Sequence, residues 1–93
     1  MQAVNMGEVA LKYRIMPESP DSDIDNIVSK ISEVIPDDAT VGAHEVKPFA
    51  FGLNAIMVAI LGIDRDGFAT EVEEGLNGLP EVQTVVLEAQ SLI

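Results

Sequence analysis

The chain has 93 residues, a length that suits one domain around one core. It contains no cysteine, which excludes disulfides, thiolate metal sites and cysteine nucleophiles, and its single histidine, His44, argues against a His-based metal site or a Ser-His pair. Five basic and sixteen acidic residues give a formal net charge of −11, a surface that repels a phosphate backbone.

The first five residues carry no pattern and read as a frayed extension, with Met6-Gly7 resembling a second start. One domain is expected over residues 6–93. The N-terminus lacks the charged and apolar regions of a signal peptide. The longest apolar run, Ala55–Ile63, is too short to span a membrane and is interrupted by Gly62. Cytoplasm is therefore the expected location.

Glu8–Met16 alternates: Val9, Leu11, Tyr13 and Ile15 against Glu8, Ala10, Lys12 and Arg14. That period predicts a half-buried strand. Pro17 and Pro20 end it. Asp21–Ile35 is expected to be a helix, opened by the capping oxygens of Asp21, Ser22 and Asp23. Ile24, Ile27, Val28, Ile31 and Ile35 form one apolar stripe, and Pro36 stops it.

Ala39–Phe49 predicts a second strand, with a bulge or twist at Gly42. His44 within it reads as a surface or cross-strand residue rather than a catalyst. Pro48–Leu53 is the turn. Its Phe49-Ala50-Phe51 segment is too apolar for an ordinary turn. Phe49 continues the strand pattern and is expected in the core. Phe51, beside the flexible Gly52, is either folded back or offered to a partner. Asn54–Ile63 is nearly all apolar and predicts a central strand with apolar side chains on both faces.

Asp64–Gly67 reads as a solvated turn, since the spacing fits neither a calcium loop nor a phosphate loop. A second helix is expected over about 68–77, with Phe68, Val72 and Leu76 on one stripe, a Thr70/Glu73 capping box and a C-cap at Gly78. Gly75 weakens it. Glu81–Ile93 predicts the last strand, Val85, Leu87 and Ala89 alternating with Thr84, Glu88 and Gln90.

The order strand, helix, strand, strand, helix, strand predicts an α+β ferredoxin-like βαββαβ sandwich. Its four-stranded antiparallel sheet has the order 4-1-3-2, with two helices on one face. On the open face, Lys12 and Arg14 are expected to pair with Glu88 and Gln90. No constellation for covalent catalysis is visible, so the chain is not read as an enzyme. The fold alone leaves function undecided.

Three segments carry a resemblance: Met6-Gly7-Glu8-Val9, Ile15-Met16-Pro17-Glu18-Ser19-Pro20-Asp21, and Pro48-Phe49-Ala50-Phe51-Gly52-Leu53-Asn54-Ala55. The chain resembles archaeal translation elongation factor 1-beta from Met6 to Ile93. The resemblance implies the same sandwich and a guanine-nucleotide exchange factor for elongation factor 1-alpha, the GTPase that carries aminoacyl-tRNA. It implies no cofactor or metal in the chain itself, no direct nucleic-acid contact and no membrane. In eukaryotic relatives an aromatic in the hairpin turn docks into the GTPase, and a lysine near the C-terminus perturbs its magnesium site. The aromatic matches Phe51, with Gly52, Leu53 and Phe49 completing the partner-binding set. The lysine has no counterpart, because no lysine follows Lys47.

Two alternatives come from other classes. One is a small-molecule-sensing regulatory domain on the same sandwich. The other is an RNA-binding sheet, which needs exposed aromatics on central strands. Only Tyr13 is available for that, and its phase points toward the helices.

Overall fold

The computed structural model describes residues 7–92. The expected extension at 1–5 lies outside the described residues, as do Met6 and Ile93. The elements are β1 (Glu8–Pro17), α1 (Ile24–Val34), β2 (Thr40–Pro48), a tight turn at Ala50–Gly52, β3 (Asn54–Ile63), α2 (Phe68–Asn77) and β4 (Val82–Leu92). The strands form one antiparallel sheet in the order β2-β3-β1-β4. This is the expected 4-1-3-2 order read from the other edge.

Both helices lie on one face because the central strands β1 and β3 have one fully apolar side. Val9, Leu11, Tyr13 and Ile15 of β1 meet Ile56, Val58 and Ile60 of β3 beneath Ile27 and Ile31 of α1 and Phe68, Val72 and Leu76 of α2. The register sets Tyr13 opposite Val58 and Ile15 opposite Ile56. Met57, Ala59 and Leu61 therefore face the open side, half-buried.

Several local expectations shift. α1 starts at Ile24 rather than Asp21, because Pro20–Ser22 is spent on a turn. Ser22 N–H donates to the Ser19 carbonyl at 3.1 Å, and Asp23 becomes the N-cap, accepting from Asn26 N–H at 3.0 Å. The helix ends at Val34, with Ile35 extended ahead of Pro36. The Thr70/Glu73 capping box does not form. α2 starts at Phe68 with Gly67 as its N-cap, and the Glu73 carboxylate instead accepts the Tyr13 hydroxyl at 3.1 Å. Burial first, and then the Glu73 charge, push the Tyr13 phenol above its ordinary pKa.

β4 contains a bulge that composition does not reveal. Tyr13 pairs with Leu87 but Lys12 pairs with Ala89, so Glu88 is the extra residue. The phase flips there. Gln90 comes opposite the buried Leu11, on the helix side, and so does not join Lys12 on the open face as expected. Arg14 and Glu88 do pair, at 3.0 Å. The register shift between Val41 and His44 places a further irregularity at Gly42 and Ala43, in keeping with the bulge the sequence predicts at Gly42.

Gly75 does more than weaken α2. A Cβ there would overlap the Val34 carbonyl of α1, so the glycine allows the two helices to approach. Helix propensity alone favours Gly75→Ala by about 1 kcal/mol. Packing predicts the opposite sign, a net loss of about 1–3 kcal/mol, which urea unfolding would read directly.

At the end of the sheet away from the β2–β3 turn, Arg65 clamps two loops. Its Nε donates to Asp38 at 2.7 Å and its Nη1 to Glu71 at 2.7 Å, while the guanidinium lies 5.3 Å from the Phe68 ring centroid. Hydrogen bonding from Arg65 holds both carboxyls below their ordinary pKa values. Their contribution is therefore complete above the ordinary carboxylate range, about pH 4, and is lost as pH falls through the lowered folded values. Arg65→Met is expected to melt below wild type at neutral pH, with the two melting curves converging under strong acid.

Candidate functional site

The β2–β3 hairpin tip is built by two backbone hydrogen bonds. Phe49 N–H donates to the Leu53 carbonyl at 2.7 Å, and Leu53 N–H donates to the Ala50 carbonyl at 3.2 Å. Between them Phe51 has φ 62° and ψ 28°, and Gly52 has φ 77°. Positive φ at both central residues is the signature of a type I′ turn, whose twist matches that of the flanking strands. Gly52 meets the requirement at no steric cost, and a Cβ there would meet only the Pro20 side chain, at 3.9 Å. The left-handed backbone, rather than crowding, calls for glycine at 52.

Phe51 is the anomaly. Asn, Asp or Gly ordinarily occupies this position, and a bulky side chain with positive φ is an outlier. The left-handed conformation costs an L-residue about 1–2 kcal/mol. The ring recovers nothing by burial, being 93 % exposed. Glu81, the other described non-glycine residue with positive φ, makes the contrast clear. Its carbonyl accepts from Glu18 N–H at 2.8 Å and its carboxylate from Asp23 N–H at 3.3 Å, so the strained residue ties together three segments. Phe51 is strained and exposed, and that combination contributes nothing to folding.

Phe49 is not in the core, contrary to expectation. Val46 sits opposite the core residue Ile56 and Lys47 opposite Ala55, so the phase of β2 carries position 49 to the open face. The ring is 47 % exposed and rests against Arg14, whose guanidinium carbon lies 5.1 Å from the ring centroid. Ala55, out of phase with Ile56, is only 1 % exposed, so this corner of the open face is covered. Leu53 is half-buried and Gly52 exposed. The four expected partner-binding residues therefore share one tip, with Phe51 outermost. Arg14 joins them as a residue the sequence offered only as a cross-strand ion-pairing partner.

His44 is exposed on β2 beside the bulge, an ordinary strand residue. Among the described residues there is no group of three or more His, Cys, Asp or Glu arranged to hold a metal ion, and no helix is long and apolar enough to cross a membrane. Tyr13 is fully buried under α2, so the central strands offer no aromatic platform for stacking bases.

The profile of the EF-1 guanine nucleotide exchange domain matches residues 10–93. The chain belongs to this family. Among similar proteins, elongation factor 1-beta of Methanococcoides burtonii is 39 % identical over 80 residues, covering 86 % of this chain and 90 % of the relative. Elongation factor 1-beta of Methanosarcina barkeri is 40 % identical over 84 residues, covering 86 % and 94 %. That of Methanothermobacter thermautotrophicus is 35 % identical over 80 residues, covering 86 % and 90 %. The match bears out the resemblance drawn from the MPESP and AFGL segments, and with it a nucleotide-exchange role in translation elongation. The small-molecule-sensing alternative is not favoured. The exposed Phe51 ring on a positive-φ turn gives up stability for no visible gain within the fold.

That cost has a direct check. Phe51→Asn places a residue that tolerates the left-handed region where the turn needs one, and is expected to raise unfolding stability by roughly 1 kcal/mol. An unchanged or lowered urea midpoint would show that the turn carries no strain at 51.

Proposed function

We propose that this protein catalyses exchange of GDP for GTP on elongation factor 1-alpha by docking Phe51 beside the GTPase's nucleotide pocket. Phe49, Gly52 and Leu53 set its approach. The observation that supports this is the Phe51 ring, 93 % exposed on a positive-φ backbone at the outer end of the hairpin.

The energetics follow from linkage. A protein that binds the nucleotide-bound and nucleotide-free GTPase equally shifts nothing, however tightly it binds. Exchange requires tighter binding to the empty form, and reciprocity then makes the bound factor weaken the hold on GDP by the same factor. An aromatic wedge suits this role. It is rigid, brings large apolar area and loses little conformational entropy on insertion. A tip already fixed by the Phe49–Leu53 hydrogen bond delivers the ring without reordering the hairpin. Cellular GTP then refills the vacated site.

The step breaks and makes no covalent bond in the factor, so it needs no nucleophile, metal or cofactor of its own. It also assigns no role to a C-terminal lysine, since none follows Lys47. The partner holds the magnesium ion, and loosening of that ion follows from the altered pocket. The setting is the cytoplasm, where aminoacyl-tRNA is delivered.

Fluorescent GDP release from the cognate GTPase provides the test. Phe51→Ala is expected to slow stimulated release by roughly 10- to 100-fold, the loss typical of a central aromatic anchor. Its melting temperature should stay at or above wild type. Phe51→Asn should be both more stable and defective. Wild-type acceleration by Phe51→Ala would rule out the wedge.

A further inference from the structure

The hairpin tip lies beyond the last pairing of β3 with β1, Ile56 with Ile15, so the strand ladder alone leaves it a two-stranded ribbon. Such ribbons are marginal by themselves. What braces it comes from the neighbouring strands on the same face. Arg14 stands on the open face of β1, opposite Met57 of β3 and Val86 of β4. Its guanidinium carbon sits 5.1 Å from the Phe49 ring centroid, and its Nη1 reaches the Glu88 carboxylate at 3.0 Å. Glu88 is the extra residue of the β4 bulge. Alternation sets Glu88 on the side of Val86, and the bulge then brings Ala89 to that side as well. Arg14 Nε is buried with no hydrogen-bond partner, so the guanidinium is held against the ring although one of its donors is left unsatisfied.

These contacts form a brace running from β4 through β1 to the end of β2. Glu88 fixes Arg14, Arg14 supports the ring of Phe49, and Phe49 closes the turn through its hydrogen bond to Leu53. Phe51 is two residues further on. We propose that Arg14 is a positioning residue for nucleotide exchange: by stacking under Phe49 and pairing with Glu88, it holds the hairpin tip at the angle that presents Phe51. This rests on the assignment of Phe51 as the docking ring. The physical gain is preorganisation, since a tip already ordered in the free protein does not pay that ordering cost on docking. Lysine cannot replace the arginine fully, because an ammonium keeps the charge but not the flat face that covers the ring.

The test separates tip order from exchange. Backbone 15N relaxation on the free protein reads the order parameters of Ala50, Phe51 and Gly52, with no GTPase present. GDP-release kinetics read the half-saturating concentration and the maximal rate. In Arg14→Met the tip order parameters are expected to fall from about 0.85 toward 0.6. The half-saturating concentration should rise roughly 3- to 10-fold while the maximal rate holds within about two-fold. Phe49→Leu should reproduce both effects, and the double variant should be no worse than either single one. Arg14→Lys should fall between wild type and Arg14→Met.

Phe49→Leu and Glu88→Gln carry the same test if Arg14→Met does not fold. Unchanged tip order in the folded variants would overturn the brace. A loosened tip with wild-type exchange would overturn the positioning role. Phe51→Ala, run alongside, distinguishes the two levels. If it too exchanged like wild type, the docking-ring assignment itself would fail. If it were defective while Arg14→Met was not, only the role of Arg14 would fall.

Discussion

The antiparallel pairing of β1 with β3 is the constraint on which the rest depends. It sets Ile15 opposite Ile56, Tyr13 opposite Val58 and Leu11 opposite Ile60, making one side of the sheet continuously apolar. That surface is what the stripes of α1 and α2 bury. A slip of one residue would turn Lys12 and Arg14 toward the helices and expose the isoleucines. The same register puts Arg14 on the open side near the β2–β3 hairpin. The pairing that defines the core thus also defines the platform for the tip.

Bracing contacts and backbone strain occupy different parts of this platform. At the end away from the hairpin, Arg65 joins Asp38 and Glu71, and Phe68 packs beneath its guanidinium. In the middle, Gly75 lets α2 seat against α1, and the Tyr13 hydroxyl finds Glu73. At the hairpin end these compensations stop. Phe51 has both the unfavourable backbone and the exposed ring. Nothing within the fold offsets that departure; on the docking role proposed for Phe51, the ring's burial is deferred to the complex.

Charge is distributed in keeping with this division. α1 and α2 carry Asp25, Glu33, Glu71, Glu73 and Glu74 against the single Lys30. The open face carries Lys12, Arg14 and Lys47, with Glu45 and Glu88 as ion-pair partners. The helical side therefore bears much of the net negative charge. The open side and the tip are near balance, which favours a protein surface as partner over a polyanion.

The period of two in Glu8–Met16, the isoleucine stripe of α1 and the apolar run of β3 determined the sandwich, its strand order and its buried face. These are local periodicities, and burial of one face follows from them wherever the chain folds. The resemblance of the PFAFGLNA segment also singled out the hairpin turn as the expected docking site. Four details lay beyond the sequence. The β4 bulge moved Gln90 to the helix side, because register depends on two strands at once. The phase of β2 against β3 took Phe49 out of the core. Glu73 went to Tyr13, sixty residues away, rather than to a cap. Finally, the stacking of Arg14 on Phe49 required β1 and the end of β2 to share a face. Tertiary pairing alone decided that, since no local pattern records which residues meet across a sheet.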